Sequence, residues 1–182
     1  MIKSPAKVIC DAGPVIHLDE VNCLNLLDDF EEIIIPITVE KEIAEHRPSA
    51  LHSSGLTLKR HAGRVEIGEK LLALCHIFSL DAGETEALAL MERNPQAIFL
   101  TDDAAARLVA EQMRYNVHGT IGILLRSIRR GQRNPKEILR GLKFLNLQHI
   151  LIIMQNGYFD ILKNLGYLHC YTQHREYRRV KC

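Results

Sequence analysis

The chain of 182 residues has no long apolar run. No unbroken stretch exceeds that of Ile150–Met154, and crossing a bilayer takes about 20 such residues. The opening Met1-Ile-Lys-Ser-Pro-Ala-Lys7 lacks the apolar core of a secretory signal. Together these argue for a cytoplasmic protein with no membrane partner. Cysteine is odd in number, at positions 10, 23, 75, 170 and 182, and no two fall in a C-x-x-C spacing. That excludes a disulfide framework and a zinc knuckle and leaves reduced, mostly buried thiols. Internal repeats, low-complexity stretches, a P-loop and a Ser/His/Asp or Cys/His arrangement are all missing. Aromatic residues make up only 5%. Five of them, Tyr158, Phe159, Tyr167, Tyr171 and Tyr177, lie toward the C-terminus, where packing competes with base stacking as their role.

What is present is ordinary globular composition, 47% hydrophobic and 25% charged, with the charge unevenly placed. Residues 1–111 carry 10 Lys/Arg against 19 Asp/Glu, and residues 112–182 carry 13 against 3. The basic residues gather as Arg126, Arg129, Arg130, Arg133 and Lys136, then as Arg175, Arg178, Arg179 and Lys181. A phosphate backbone is the common partner for such a surface, and a solvated face with a basic tail is the plain alternative.

Apolar runs and helix-period segments alternate. Lys7–Asp11 reads as a strand ending in a carboxylate, followed by the Gly13-Pro14 turn. Residues 15–30 suit one or two short helices, Glu32–Pro36 a second strand, and Ile37–His46 a helix. Residues 47–68 are polar and glycine-rich and read as a variable loop with short helices. Helices are expected over Glu69–Phe78 and from Ala82 to about Arg93, the latter opened by Asp81 and Glu84 in capping-box spacing. Ala97–Thr101 reads as a buried strand, Ala104–Met113 as a helix, Asn116–His118 as a short strand, and Thr120–Arg130 as a helix stopped by Gly131. The alternation predicts a three-layer α/β/α fold with a central, mainly parallel sheet. The expected division is a domain over residues 1–135 and a helical, basic extension over 136–182.

In such sheets ligands bind outside the carboxyl ends of the strands. Asp11 ends one strand, and Asp102 and Asp103 end another. Glu42 and Glu84 lie near the starts of neighbouring helices. Carboxylates converging on one crevice stay ionised together only around cations, and hard ions such as Mg²⁺ or Mn²⁺ prefer oxygen ligands. Each residue also has a structural reading. Asp81 with Glu84 can be a capping box, Asp102 or Asp103 an N-cap, Asp11 a turn cap and Glu42 a solvated helix residue. Of Glu84 and Glu86, about 200° apart around a helix axis, only one can face a crevice. His17, His76 and His118 sit in apolar settings that favour packing or hydrogen bonding.

The ordered set Val8-Ile-Cys-Asp-Ala-Gly-Pro-Val-Ile16, Ile35-Pro-Ile-Thr-Val-Glu-Lys-Glu-Ile43, Leu80-Asp-Ala-Gly-Glu-Thr-Glu-Ala87, Leu100-Thr-Asp-Asp103 with Arg107, and His118-Gly-Thr-Ile-Gly-Ile-Leu-Leu125 resembles the PIN-domain family. It is closest to the branch found beside toxin–antitoxin genes, and it spans residues 7–131. The resemblance implies a metal-dependent ribonuclease. Asp11, Glu42, Glu84 and Asp103 would be its catalytic carboxylates, and these with Asp102 its ligands for Mg²⁺ or Mn²⁺. It departs from the family at Ala12, where a polar residue is usual. In this reading the ion activates water, and a second ion or a nearby Lys or Arg neutralises the leaving oxygen. Arg107, Arg126, Arg129, Arg130 and Arg133 would contact nucleic acid, with single-stranded RNA more accessible than duplex. The implied partners are RNA, a cognate antitoxin and a second copy of the chain, for which the apolar faces at Leu24–Leu27 and Leu71–Phe78 are available unless they are core. Two other readings stay open: a PIN fold that binds without cleaving, and a phospho-accepting receiver-like domain. The latter needs a lysine at a later strand end, which His118-Gly119-Thr120 does not supply.

Overall fold

A computed structural model describes residues 4–52, 57–63 and 65–142. The chain divides into two compact units, residues 1–141 and 142–182. All of the second but Leu142 lies outside the described residues, as do the expected C-terminal extension's basic cluster at Arg175–Lys181 and the five late aromatics.

Five strands, all parallel, form one sheet: β1 (Ser4–Cys10), β2 (Phe30–Pro36), β3 (Leu58–His61), β4 (Ile98–Leu100) and β5 (Asn116–His118), in the order β3-β2-β1-β4-β5. Helices α1 (Ala12–Glu20), α2 (Ile37–His46), α3 (Pro48–Leu51), α4 (Glu69–Ile77), α5 (Ala82–Arg93), α6 (Ala104–Gln112), α7 (Thr120–Arg129) and α8 (Pro135–Leu142), with a 3₁₀ turn at Leu24–Asp29, complete the described elements. This is the three-layer α/β/α arrangement the alternation predicts. Parallel strands need crossover connections, and helices in those crossovers cover both sheet faces.

The central strand shows why both faces fill. Successive residues of a strand point to opposite sides, and Val8, Ile9 and Cys10 are all fully buried. Ile9 packs in one apolar cluster with Ile34 and Phe99 from the sheet, Leu71 and Cys75 of α4, Leu88 and Met91 of α5, and Val109 of α6. On the other side α1 packs against α7 and the 3₁₀ turn, and Val15, Leu18, Leu24, Leu27, Leu124 and Ile123 are buried. Leu24–Leu27 is therefore core rather than a free dimer face, because Leu24, Leu26 and Leu27 are all buried. On α4, Leu71 and Cys75 are buried while Leu72 and Ile77 stay exposed. Cys10, Cys23 and Cys75 are buried free thiols.

One element departs from expectation. Leu58-Lys-Arg-His61 lies within the stretch read as a loop, yet it pairs with β2 from Ile33↔Leu58 to Pro36↔His61. It is an edge strand with its two central side chains exposed, so it carries no apolar period. Ion pairs fasten it: Lys59 to Glu32 at 2.6 Å and Arg60 to Glu40 at 2.6 Å.

The sheet's connections reverse direction between β1 and β4. From β1 the chain proceeds outward to β2 and β3, then returns to β4 on the other side. Such a switch point opens a crevice at the strand carboxyl ends, and Asp11 and Asp102–Asp103 stand there.

Candidate active site

Asp11 follows β1 and precedes α1. Its backbone N–H still belongs to the sheet, donating to Leu100 O at 2.9 Å, and its residue is only 6% exposed. Thr101, fully buried, donates its hydroxyl to Asp11 Oδ2 at 3.0 Å and accepts the Asp103 backbone N–H at 3.1 Å. One side chain thus fixes the acid of β1 relative to the turn after β4. Thr101's own N–H donates to His118 O at 3.0 Å, which joins β5 to the same layer.

Burial is the main force on Asp11. It pushes the carboxyl up to about 7, against the opposing hydrogen bonds from the Ala12 N–H and Thr101, with Glu42 and Asp81 adding like-charge repulsion. Glu84 is also pushed up to about 7, first by burial, then by Asp103, Asp81 and Asp11, while its bond to the Asp81 N–H opposes the rise. Glu42 rises for the same reasons, burial first and then Asp81. Each acid therefore feels others that are remote in sequence. Asp11 feels Glu42 and Asp81, Glu42 feels Asp81, and Glu84 feels Asp103, Asp81 and Asp11, so these acids lie within electrostatic reach of one another.

Asp81 and Glu84 form a reciprocal capping box on α5: Glu84 N–H donates to Asp81 Oδ1 at 2.8 Å and Asp81 N–H to Glu84 Oε2 at 2.9 Å. Asp81 does both, capping α5 and, as a neighbouring charge, helping to raise Glu42 and Glu84. Asp81 was expected only as a cap, and no spacing rule in the sequence signals that it also faces Glu42. Gly83, next along α5, lies against α2, where a Cβ would stand 3.3 Å from Val39 Cγ2 and 3.7 Å from Glu42 Oε2. Glu86 faces α2 instead and accepts the Thr38 hydroxyl at 2.6 Å.

The two consecutive aspartates do different things. Asp103 is exposed and N-caps α6, accepting Ala106 N–H on Oδ1 at 2.7 Å. Asp102 turns the other way and uses both oxygens. Oδ1 accepts the Thr120 N–H at 2.8 Å, and Oδ2 accepts the Thr120 hydroxyl and meets His17 Nδ1 at 2.7 Å. Burial works to raise Asp102, but the His17 and Thr120 bonds outweigh it and hold the carboxyl below its ordinary value. His17 in turn is held above its usual range: burial opposes the charged ring, and Asp102 prevails. Asp102 thereby satisfies the first N–H of α7 from another loop, in place of a side-chain cap that Gly119, the N-cap residue, cannot supply. Gly119 permits this approach, because a Cβ there would lie 2.6 Å from Asp102 Oδ1 and 3.0 Å from Thr101 O.

The arginines divide by what they touch. Arg107 donates to Thr101 O at 3.2 Å, beside the crevice. Arg126 lies over the Phe30 ring, 4.8 Å from its centroid. Arg130 pairs with the buried Asp29 at 2.7 Å, and Arg133 donates to Asn25 Oδ1 at 2.6 Å. These last two tie the end of α7 and the loop after it to the 3₁₀ turn. Arg129 is exposed.

Asp11, Glu42 and Glu84, each raised by burial and by neighbouring carboxylates, offer the oxygen donors that a hard divalent cation prefers. Among the described residues no group of three or more His, Cys, Asp or Glu side chains is arranged to hold an ion as it stands.

A family model described as a PIN domain (DUF3368) matches residues 7–148. The chain belongs to the PIN-domain family, a nuclease fold whose members are generally ribonucleases and typically use divalent metals. No curated protein matches the sequence. Among the described residues no helix is long and apolar enough to cross a membrane.

Proposed function

We propose that the protein is a Mg²⁺- or Mn²⁺-dependent endoribonuclease that cleaves single-stranded RNA, acting in the cytoplasm as the toxin of a toxin–antitoxin pair, with an antitoxin protein and a second copy of the chain as partners. One observation carries the reading: in a chain of the PIN-domain family, Thr101 ties Asp11 at the end of β1 to the Asp103 backbone after β4, at the sheet's switch point. Asp11, Glu42, Glu84 and Asp103 are the residues to hold the ion. A divalent cation there supplies an acidified water and neutralises phosphate charge. The chain's own contribution is positioning. Thr101 holds Asp11 and the Asp103 backbone in fixed relation. Asp102, with its oxygens already engaged, serves the site by fixing α7. Arg107, anchored to Thr101 O, is placed to meet a phosphate next to the acids, and Arg126 and Arg129 extend the basic face along α7.

A non-cleaving, RNA- or protein-binding PIN fold is the second reading. The lack, among the described residues, of a ready three-ligand group favours it. Incubating the purified chain with single-stranded RNA and Mn²⁺ separates the two. Cleavage that disappears with EDTA, with Asp11→Asn and with Asp103→Asn supports the nuclease. Binding without cleavage at high Mn²⁺ supports the alternative, and cleavage unchanged in both variants rejects this site.

A further inference from the structure

Beside the acidic crevice, at the carboxyl end of edge strand β5, stands a group that the nuclease chemistry does not use. His118 is exposed, and its backbone carbonyl is pinned by Thr101 N–H at 3.0 Å. Its ring lies against the first turn of α7: a Cβ on Gly122 would be 3.8 Å from His118 Nδ1 and 3.9 Å from Cγ. Two guanidinium groups lie within electrostatic reach of it, those of Arg107 and Arg126. Arg107 Nη2 lies 2.9 Å from where a Cβ on Gly119, the next residue, would be. Arg126 is one helical turn beyond Gly122 on the same face of α7 and is held in place by Phe30. The same Gly119 position lies 2.6 Å from Asp102 Oδ1, so this basic group begins where the acids end. Burial and the two arginines disfavour the protonated ring, and the ring itself is a planar, exposed surface.

We propose that His118, Arg107 and Arg126 form a nucleotide subsite adjoining the crevice, in which a base of single-stranded RNA stacks on the His118 ring while the two arginines hold the flanking phosphates. Exposed bases of single strands are read by such stacking on aromatic rings, histidine included, and phosphates by arginine. Duplex RNA keeps its bases stacked on each other and leaves none for the ring. The proposal rests on the ribonuclease reading for its substrate, but it is tested by binding alone.

The probe is a 5′-fluorescein-labelled 12-mer of oligouridylate, titrated with the full chain in EDTA and followed by anisotropy at several salt concentrations. His118→Ala is expected to weaken binding roughly 5-fold or more, in line with the loss of one stacked base, and His118→Phe is expected to retain it. Arg126→Gln is expected to lower the slope of log K against log salt by about 0.7, one phosphate contact to a single strand. Lys70→Glu, an exposed change on α4, controls for net charge and should bind as the wild type does. Wild-type affinity in His118→Ala, an equal loss in His118→Phe, an equal loss in Lys70→Glu, or no wild-type binding at all would each overturn the subsite. If RNA binds in this pattern but is never cleaved with Mn²⁺, the subsite stands and the nuclease reading fails.

Discussion

Replacing Asp11 by asparagine should remove activity and yet stabilise the metal-free protein. Asp11 is buried, and its folded-state carboxyl is pushed from 3.8 to about 7. A shift of about 3 units corresponds to roughly 4 kcal/mol of disfavour for the ionised form in the fold. The sign follows from linkage. A carboxyl raised on folding binds more protons in the native state, so its favourable contribution is present below about pH 4 and is lost as pH rises through 7. Above pH 7 the ionised group therefore costs about 4 kcal/mol in the absence of a cation. Asparagine carries no charge and can still accept the Thr101 hydroxyl, but its amide group needs an acceptor, and leaving that unmade costs about 1–3 kcal/mol. The net gain for Asp11→Asn is then about 1–3 kcal/mol at pH 8, or several degrees in Tm for a chain of this size. Thermal unfolding in EDTA from pH 4.5 to 8.5 reads it directly. The variant's advantage should be small or negative at the acid end and grow toward pH 7–8. In Mn²⁺ the wild type should regain stability and the variant should not. A variant less stable than the wild type in EDTA at pH 8 would refute the buried-charge argument.

Three further outcomes follow from the same geometry. Thr101→Val should cost about 1–3 kcal/mol in urea unfolding, because it strands the buried Asp11 Oδ2 and the Asp103 N–H, and Thr101→Ser should recover most of the loss. Gly119→Ala should destabilise by about 1–3 kcal/mol, since its Cβ would meet Asp102 Oδ1 at 2.6 Å and the Thr101 backbone oxygen at 3.0 Å; denaturant midpoints would show it. Asp29→Ala should cost about 1–3 kcal/mol by removing the buried carboxylate that Arg130 and Gln132 bond, and the same unfolding assay measures it.

Much of the fold was legible because its signals are local. Val8–Cys10, Ile33–Ile35 and Phe99–Leu100 are buried and apolar, which is how a strand covered on both faces reads. The α5 start was legible because a capping box has a spacing. Leu58–His61 was not: an edge strand held by backbone pairing and surface ion pairs leaves no apolar pattern. At the site, the places of Asp11 and Asp103 just after β1 and β4, and of Glu42 and Glu84 on α2 and α5, followed from the strand and helix pattern. The separate duties of Asp102 and Asp103 did not, because which of two adjacent aspartates turns toward His17 and Thr120 is decided by contacts 85 and 18 residues away. Asp81 was hidden for a similar reason, since its capping role accounts for it fully until α2 is placed beside it. Of the arginines, sequence grouped Arg130 and Arg133 with Arg126, and only the fold reveals that they brace the 3₁₀ turn.

The most direct measurement is calorimetric titration of the chain with Mn²⁺ in buffers of differing ionisation enthalpy, which counts the protons released on binding. With Asp11 and Glu84 both near half-protonation at pH 7, occupation of the crevice should release about one proton there and almost none at pH 9. Binding with no proton release at pH 7, or no binding, would contradict the claim that these carboxylates share one cation.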